Sequence, residues 1–529
     1  VRRLLVLALV GACSRAESIA STRASTTTST NIRKADYIGP RACGDCHAEQ
    51  HAAWSQSLHR VMNARADDAG AVIGDFDGAV VRYAGGEARF SRDGDDRTMT
   101  VTRGGKSVRY RVTRTIGRRG LQEYVGVEDG RDDEVRLPFG WWPRLGGWFP
   151  QPYFDPWLGD ESNVDVYAPV REPWAERCPW CHSTYPFAQR IARASGPRGV
   201  GHGLEQLFAS EPGPKTEAGG PRPTAGVERL AVAEQVTTGI SCESCHLGGR
   251  SHADGGAIHF VPQGARPRED APALPASFAE ERRDPAVVDA VCAQCHSGPS
   301  PRLADGTALR NSSEAIDLGA SPCSGIKCTD CHEPHRADAR ADEARSLAAC
   351  TRCHDALGDA AAARAHAGAG HESASCLDCH MPRVVMGIDR FVRTHRIAVP
   401  ADRARLAEGA PNACNLCHLD RSVGWTIDAL RDGWEVRIAA AGDVDTPAGE
   451  LWLASTRPAY RLIAAHAFAR SPLARAALPE LARGLADSLA YVRAWTQIAI
   501  EDALGHRIAF DPRAPADVRA RQIAALRWR

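Results

Sequence analysis

Methionine is scarce in this chain of 529 residues, with four in all against 19 histidines. A site that needs thioether ligands can be supplied only a few times, whereas imidazole is plentiful. Excess charge of one sign is missing as well: lysine plus arginine and aspartate plus glutamate stand at 65 each. That balance points away from a nucleic-acid surface. Nearly all of the basic residues are arginine, whose planar guanidinium pairs with carboxylates through two parallel hydrogen bonds. Long apolar runs are absent beyond Leu4 to Val10, which is too short to span a bilayer, so no transmembrane helix is expected. The stretch from Gly78 to Glu128 has no cysteine and no histidine at all.

Cysteine is abundant, at 18, and its arrangement is not random. Sixteen of the cysteines fall in eight copies of Cys-x-x-Cys-His, where chance would give about 0.02 copies. The copies are Cys43-Gly-Asp-Cys46-His47, Cys178-Pro-Trp-Cys181-His182, Cys242-Glu-Ser-Cys245-His246 and Cys292-Ala-Gln-Cys295-His296, followed by Cys328-Thr-Asp-Cys331-His332, Cys350-Thr-Arg-Cys353-His354, Cys376-Leu-Asp-Cys379-His380 and Cys414-Asn-Leu-Cys417-His418. Zinc in paired Cys-x-x-Cys units would not require a histidine after every copy. Disulfides within each motif would leave that histidine unexplained. The pattern reads as covalent attachment of c-type haem, two thioethers to one porphyrin edge with the adjoining histidine as proximal iron ligand. Eight haems are expected.

The chain opens with Arg2-Arg3, an apolar run and Gly11-Ala12, in the manner of an export signal over residues 1–12. Val10-Gly11-Ala12-Cys13 resembles a lipobox, and this predicts a lipid anchor on Cys13. The Ser/Thr-rich sequence up to residue 36 reads as a tether. Residues 37–425 are expected to form the haem-bearing domain. Within it, residues 78–128 form a small β insertion with strands at Val80–Tyr83, Thr98–Thr102, Val108–Ile116 and Tyr124–Val127, and turns at Asp93-Gly94 and Gly104-Gly105. The aromatic-rich stretch from Phe139 to Trp180 is expected to wrap haem edges. Residues 426–529 read as helices at 458–469, 474–485 and 489–504, with Gly505 as a C-cap, in the manner of HEAT repeats. Too few repeats are present to stand alone, so this tail is expected to dock on the haem domain. The fold class that follows is mainly α with much irregular structure, organised around eight haems.

Each haem needs a sixth ligand, and a second histidine keeps the potential low where methionine would raise it. Outside the motifs and the helical tail nine histidines remain: His51, His59, His202, His252, His259, His335, His366, His371 and His395. The margin is thin, since His51 lies close to His47 and His366 close to His371.

From Tyr37 to Trp425 the chain resembles the multihaem cytochromes that include cytochrome c-554, hydroxylamine oxidoreductase and the pentahaem nitrite reductases. The resemblance is carried by Cys43-Gly-Asp-Cys-His with Trp54, Ser57 and His59, by Gly239-Ile-Ser and Asn311-Ser-Ser-Glu314, and by Cys328-Thr-Asp-Cys-His-Glu-Pro-His335. It is carried further by Cys379-His-Met-Pro, Thr394-His395-Arg and Pro411-Asn-Ala-Cys414. It implies distal-ligand roles for His59, His335 and His395, extended here to His252 and His366. No Cys-x-x-Cys-Lys motif occurs, and no tyrosine is identifiable as a catalytic cross-link. The expected function is electron transfer between respiratory partner proteins, in the periplasm or at an outer membrane. The alternative is an oxidoreductase acting on hydroxylamine or on a small nitrogen or sulfur oxyanion at one open haem. A third reading makes the chain a component of a larger respiratory assembly. Cys323 stands outside every motif.

Overall fold

From Ala88 onward charged or polar residues alternate with Ala88, Phe90, Met99, Val101, Tyr110 and Val112, a period of two that buries one face of a pleated strand and leaves the other in water. The computed structural model describes residues 30–83, 86–150, 173–194, 203–208, 233–323, 325–338, 342–439 and 442–527. Seven antiparallel strands form its largest sheet: β1 (Asn63–Arg65), β2 (Val80–Tyr83), β3 (Gly86–Asp93), β4 (Asp96–Arg103), β5 (Lys106–Ile116), β6 (Glu123–Glu128) and β7 (Glu134–Arg136). Strands β2 to β7 pair in sequence order, and β1 pairs with the far end of β5. At the β4–β5 hairpin Arg103 pairs with Lys106, so Gly104-Gly105 alone make the turn, at φ 55° and 75°. Only a turn with both central residues left-handed matches the twist of the flanking strands, and glycine adopts it without a Cβ clash. The buried face closes over Phe76, Tyr124, Phe139 and Trp148, and Phe90 stacks on Trp148 at 3.8 Å.

The expected fold class needs correction here: the architecture is mixed, with a substantial antiparallel sheet. Strands β1 and β7 lie outside the expected 78–128, and β3 lies inside it unforeseen. Strand β3 places only Ala88 and Phe90 in the core; pairing with a neighbour on each side makes it a strand. The aromatic-rich segment also departs from expectation. Trp148 belongs to the sheet core, and Trp142 and Phe149 to the core beneath the C-terminal helices. Burial against protein satisfies them as well as porphyrin would. Tyr153, Phe154 and Trp157 lie outside the described residues, as do residues 1–29 with Cys13, His202 and the Pro/Gly-rich stretch from Ser210 to Gly226.

Past the last motif come α1 (Val423–Trp434), α2 (Ala448–Leu453), α3 (Pro458–Ala469), α4 (Leu478–Arg483), α5 (Ala490–Leu504) and α6 (Ala516–Ala525). Helix α3 keeps the expected bounds, with proline at its start where the missing N–H costs nothing. Helix α4 is shorter than expected, because Leu473 to Ala477 precede it as turns. Helix α5 is apolar enough to be buried on nearly every side, and it ends at Gly505, left-handed at φ 76°. These helices share one apolar core with Leu303, Val384, Met386, Phe391 and Leu406 of the motif-bearing region. The tail thus packs on that region.

Between the sheet and the tail the regular elements are short. Helices such as Pro285–Ala293 and Glu343–Thr351 begin on the aspartate caps Asp284 and Asp342 and end inside a Cys-x-x-Cys-His motif. Among the described residues no helix is long and apolar enough to cross a membrane.

Candidate functional site

Every motif is one turn of helix. The N–H of His47, His182, His246, His296, His332, His354 and His418 donates to the carbonyl of the cysteine four residues earlier, at 2.9–3.2 Å, and the remaining, seventh motif is itself the helix Cys376–His380. On such a turn residues i, i+3 and i+4 lie on one face. Both thiols and the imidazole of each motif therefore present to one side. None of the described cysteines, Cys323 included, is joined in a disulfide.

The imidazoles meet partners from distant sequence. His47 faces His252 with ring centres 6.1 Å apart and planes 20° from parallel. His246 faces His335 at 6.0 Å and 16°, His332 faces His395 at 6.1 Å and 15°, and His380 faces His366 at 6.1 Å and 9°. His418 meets His371 at 6.1 Å with the planes crossed at 82°. Ordinary aromatic pairs here scatter between 3.8 Å and 6.5 Å, whereas these five agree to 0.1 Å. Each joins one motif histidine to one histidine outside the motifs. A metal held by two imidazole nitrogens at about 2 Å each, with each ring centre a further ~1.1 Å behind its nitrogen, requires centres roughly 6 Å apart. The five pairs could each hold such an ion. Among the described residues no three or more His, Cys, Asp or Glu side chains converge on one metal position.

His59 lies within electrostatic reach of the fourth motif's His296: burial, with His296 adding to it, pushes His59 down to about 4. Burial likewise pushes His246 down to about 4, and His335, His47 and His252 add to that effect, so two of the ring pairs are neighbours. His182 is pushed down to about 4 by burial, and its Nδ1 has no hydrogen-bond partner. Trp174 stands edge-on to it at 6.3 Å. His354 lies near His380. Among the described residues no ring pair joins His182 or His354 to a histidine outside the motifs. His51 instead packs on Trp54 at 5.3 Å, and His259 binds Glu281 at 2.6 Å.

Several rings are oriented through Nδ1. His252 meets the Gly256 carbonyl at 3.1 Å, His380 the Ala398 carbonyl at 2.9 Å, and His296 the Glu314 carboxylate at 3.2 Å. An imidazole engaged at Nδ1 keeps Nε2 for a ligand. Burial alone would lower His296 and raise Glu314, but the bond and the charge between them outweigh it. His296 is held up to about 9 and Glu314 down to about 2. Beside the seventh motif a shallow surface cleft is lined by Cys379, His380, Pro382, Arg396 and Arg405.

Cysteines of different motifs lie near one another: Cys43 near Cys242, Cys181 near Cys295, and Cys292 near Cys328. Cys245 lies close to Cys292 and Cys295, Cys350 to Cys331 and Cys376, and Cys414 to Cys379. The motifs therefore form one unbroken series, first to third to fourth and on in order to the eighth, with the second joined as a branch at the fourth.

Distal-ligand candidates His252, His335, His366 and His395 thus each stand opposite a motif histidine, and His59 lies within electrostatic reach of one. His371 was overlooked as a candidate beyond the inventory of spare histidines. No spacing rule could have found it, because each partner ring comes from a different distance along the chain. No family model matches the chain, and no curated protein matches it. Among solved structures the chain is similar to the crystal structure of outer cell wall cytochrome OcwA, with 17% identity, a TM-score of 0.41, and coverage of 93% of this chain and 99% of that one.

Proposed function

We propose that this chain is a multihaem c-type cytochrome that carries eight covalently bound haems and relays electrons between redox partner proteins outside the cytoplasm. The observation that carries the reading is the recurrent facing of a motif histidine and a non-motif histidine across a gap of one metal ion, on motifs whose cysteines adjoin in series. The residues fit the group. Cys43 and Cys46, with their counterparts through Cys414 and Cys417, supply the thioethers, and His47, His182, His246, His296, His332, His354, His380 and His418 the proximal ligands. His252, His59, His335, His395, His366 and His371 supply the distal ligands of the first, fourth, third, fifth, seventh and eighth sites. When bound, the haem supplies one-electron redox chemistry at potentials that its axial ligands set.

The protein's part is to fix spacing and ligation. Histidine on both sides holds the same coordination in either oxidation state, so little reorganisation accompanies each transfer. The adjoining motifs make a continuous path with one side entry at the fourth. Export by residues 1–12 and acylation of Cys13 would hold the chain at a membrane surface in the periplasm or at an outer membrane.

A second reading, oxidation or reduction of hydroxylamine or a small nitrogen or sulfur oxyanion, is favoured at the second motif. There His182 is buried beside Trp174, with Arg136 and Glu123 near enough to influence it. An iron bound on one face only would accept substrate at such a place.

Intact-mass spectrometry on the denatured, fully matured protein tests the main reading. The expected mass includes eight haems, and the sites with a histidine on each side should bind no carbon monoxide in the reduced protein. Fewer haems, or haem extractable by acid acetone, would refute eightfold covalent attachment. Rapid carbon monoxide binding to one haem per chain would move the assignment to the enzyme.

A further inference from the structure

We infer that Glu314 is a positioning residue shared by two neighbouring sites, holding the proximal His296 of the fourth motif and biasing the iron there, and less strongly at the fifth, toward the oxidised state. The inference rests on the reading of His296 and His395 as axial ligands.

The helix Glu314–Gly319 is placed by its sequence. Ser312 takes the left-handed conformation at φ 71° and donates its N–H to Glu314 Oε1 at 2.8 Å. Ala315 N–H donates to the His296 carbonyl at 2.9 Å, and the Ser313 hydroxyl donates to the Gly298 carbonyl. These bonds clamp the turn to the fourth motif, so that Glu314 Oε2 lies 3.2 Å from His296 Nδ1. One helical turn later Asp317 is buried, paired with Arg302 at 2.7 Å and within 3.4 Å of the Thr394 hydroxyl. Thr394 immediately precedes His395, whose ring faces His332 of the fifth motif. Glu314 and His395 also influence each other directly. One short helix thus spans the proximal ligand of one site and the distal ligand of the next.

Among the described motif histidines, His380 binds a backbone carbonyl through Nδ1, the Nδ1 of His182 and of His246 has no partner, and that of His296 is bonded to the Glu314 carboxylate. A carboxylate accepting from Nδ1–H makes the imidazole a stronger donor, and it stabilises the added positive charge of ferric iron over ferrous; Glu314, about three-quarters covered, is only partly screened by solvent. The fourth motif adjoins the second, third and fifth, so the bias falls where the electron path branches.

The test is potentiometric titration of the holoprotein, followed by optical and electron paramagnetic resonance spectra, on wild type, Glu314→Gln and Glu314→Asp. Glutamine keeps the shape and removes the charge; aspartate keeps the charge and withdraws it. In Glu314→Gln, with eight haems and low-spin spectra retained, the reduced-to-oxidised ratio of one haem at its wild-type midpoint should rise about tenfold, equivalent to roughly 59 mV for a one-electron couple. A second haem should move the same way by less, and Glu314→Asp should give a smaller shift in the first. A purely structural role would alter spin state or haem content and treat the two variants by size. If Glu314→Gln does not mature, Glu314→Asp alone decides. A titration superimposable on wild type in the variant that matures overturns the role of Glu314. Wild type lacking haem at the fourth motif overturns the axial-ligand reading beneath it.

Discussion

At the scale of the residue, the pairing of histidines decides most. The distal rings are the separable half of each site, because the thioethers do not depend on them. Replacing His371 by alanine is expected to convert one low-spin haem to high-spin while the mass still shows eight haems. His252, His335, His366 and His395 should behave alike, each affecting a different haem. Magnetic circular dichroism or electron paramagnetic resonance counts the converted centres; a spectrum unchanged in the His371 variant would remove that residue from the ligand set. Which residues would attach haem on the proposed reading was legible from the motif alone, since Cys-x-x-Cys-His on one helical turn brings its three side chains to one side. Which histidine stands opposite was legible only in part. His366 and His371 are near neighbours in sequence yet face His380 and His418 respectively, and nothing in the sequence forbids one of them from idling in solvent.

Among the elements, the sheet illustrates how pairing overrides local signal. Strand β3 carries Glu87, Arg89, Ser91, Arg92 and Asp93 on its exposed or edge positions and only Ala88 and Phe90 inward. Phe90 nevertheless anchors the sheet core against Trp148, Phe76 and Phe139. Phe90→Ala is therefore expected to destabilise the protein by about 3–5 kcal/mol, through lost apolar contact and the cavity left behind. Denaturant unfolding monitored in the far ultraviolet measures this. Haem content should stay at eight, because the sheet core and the motif turns are separate clusters. A loss below ~1 kcal/mol would mean that the Phe90 site collapses readily or contributes little. The hairpin turn at Gly104-Gly105 and helix α3 were readable beforehand, since each is written in a local code of glycine, proline and period. Helix α4 is shorter than the period suggests, because Pro479 sits in its first turn, and inside a longer helix that proline would lack the N–H for an intrahelical bond.

For the whole molecule, the proximity of cysteines in successive motifs turns eight separate sites into one path, and the C-terminal helices close over the motif-bearing region through a shared core. On the proposed reading a relay would work where its partners are, so an anchor at Cys13 would bear on function. Cys13→Ala is expected to release the holoprotein from the membrane fraction into the soluble fraction without changing its haem content. Stable anchoring takes two or more acyl chains, so the difference in fractionation should be large. Wild type already found wholly in the soluble fraction would exclude the lipid anchor.

The sequence by itself determined the haem-attachment motifs, their number, the histidine-rich and methionine-poor ligand inventory, and the strands and helices that carry local turn or cap signals. All of these are short-range: a motif of five residues fits on one turn, and a hairpin turn needs two. Tertiary structure alone decided that the sheet reaches from Asn63 to Arg136, that Trp142, Trp148 and Phe149 pack into protein cores, which histidine faces which, that Glu314 meets His296, and that the motifs lie near one another in series with a branch. Those relations join residues far apart along the chain. They are set by how apolar faces find burial together, and no spacing along the sequence encodes that.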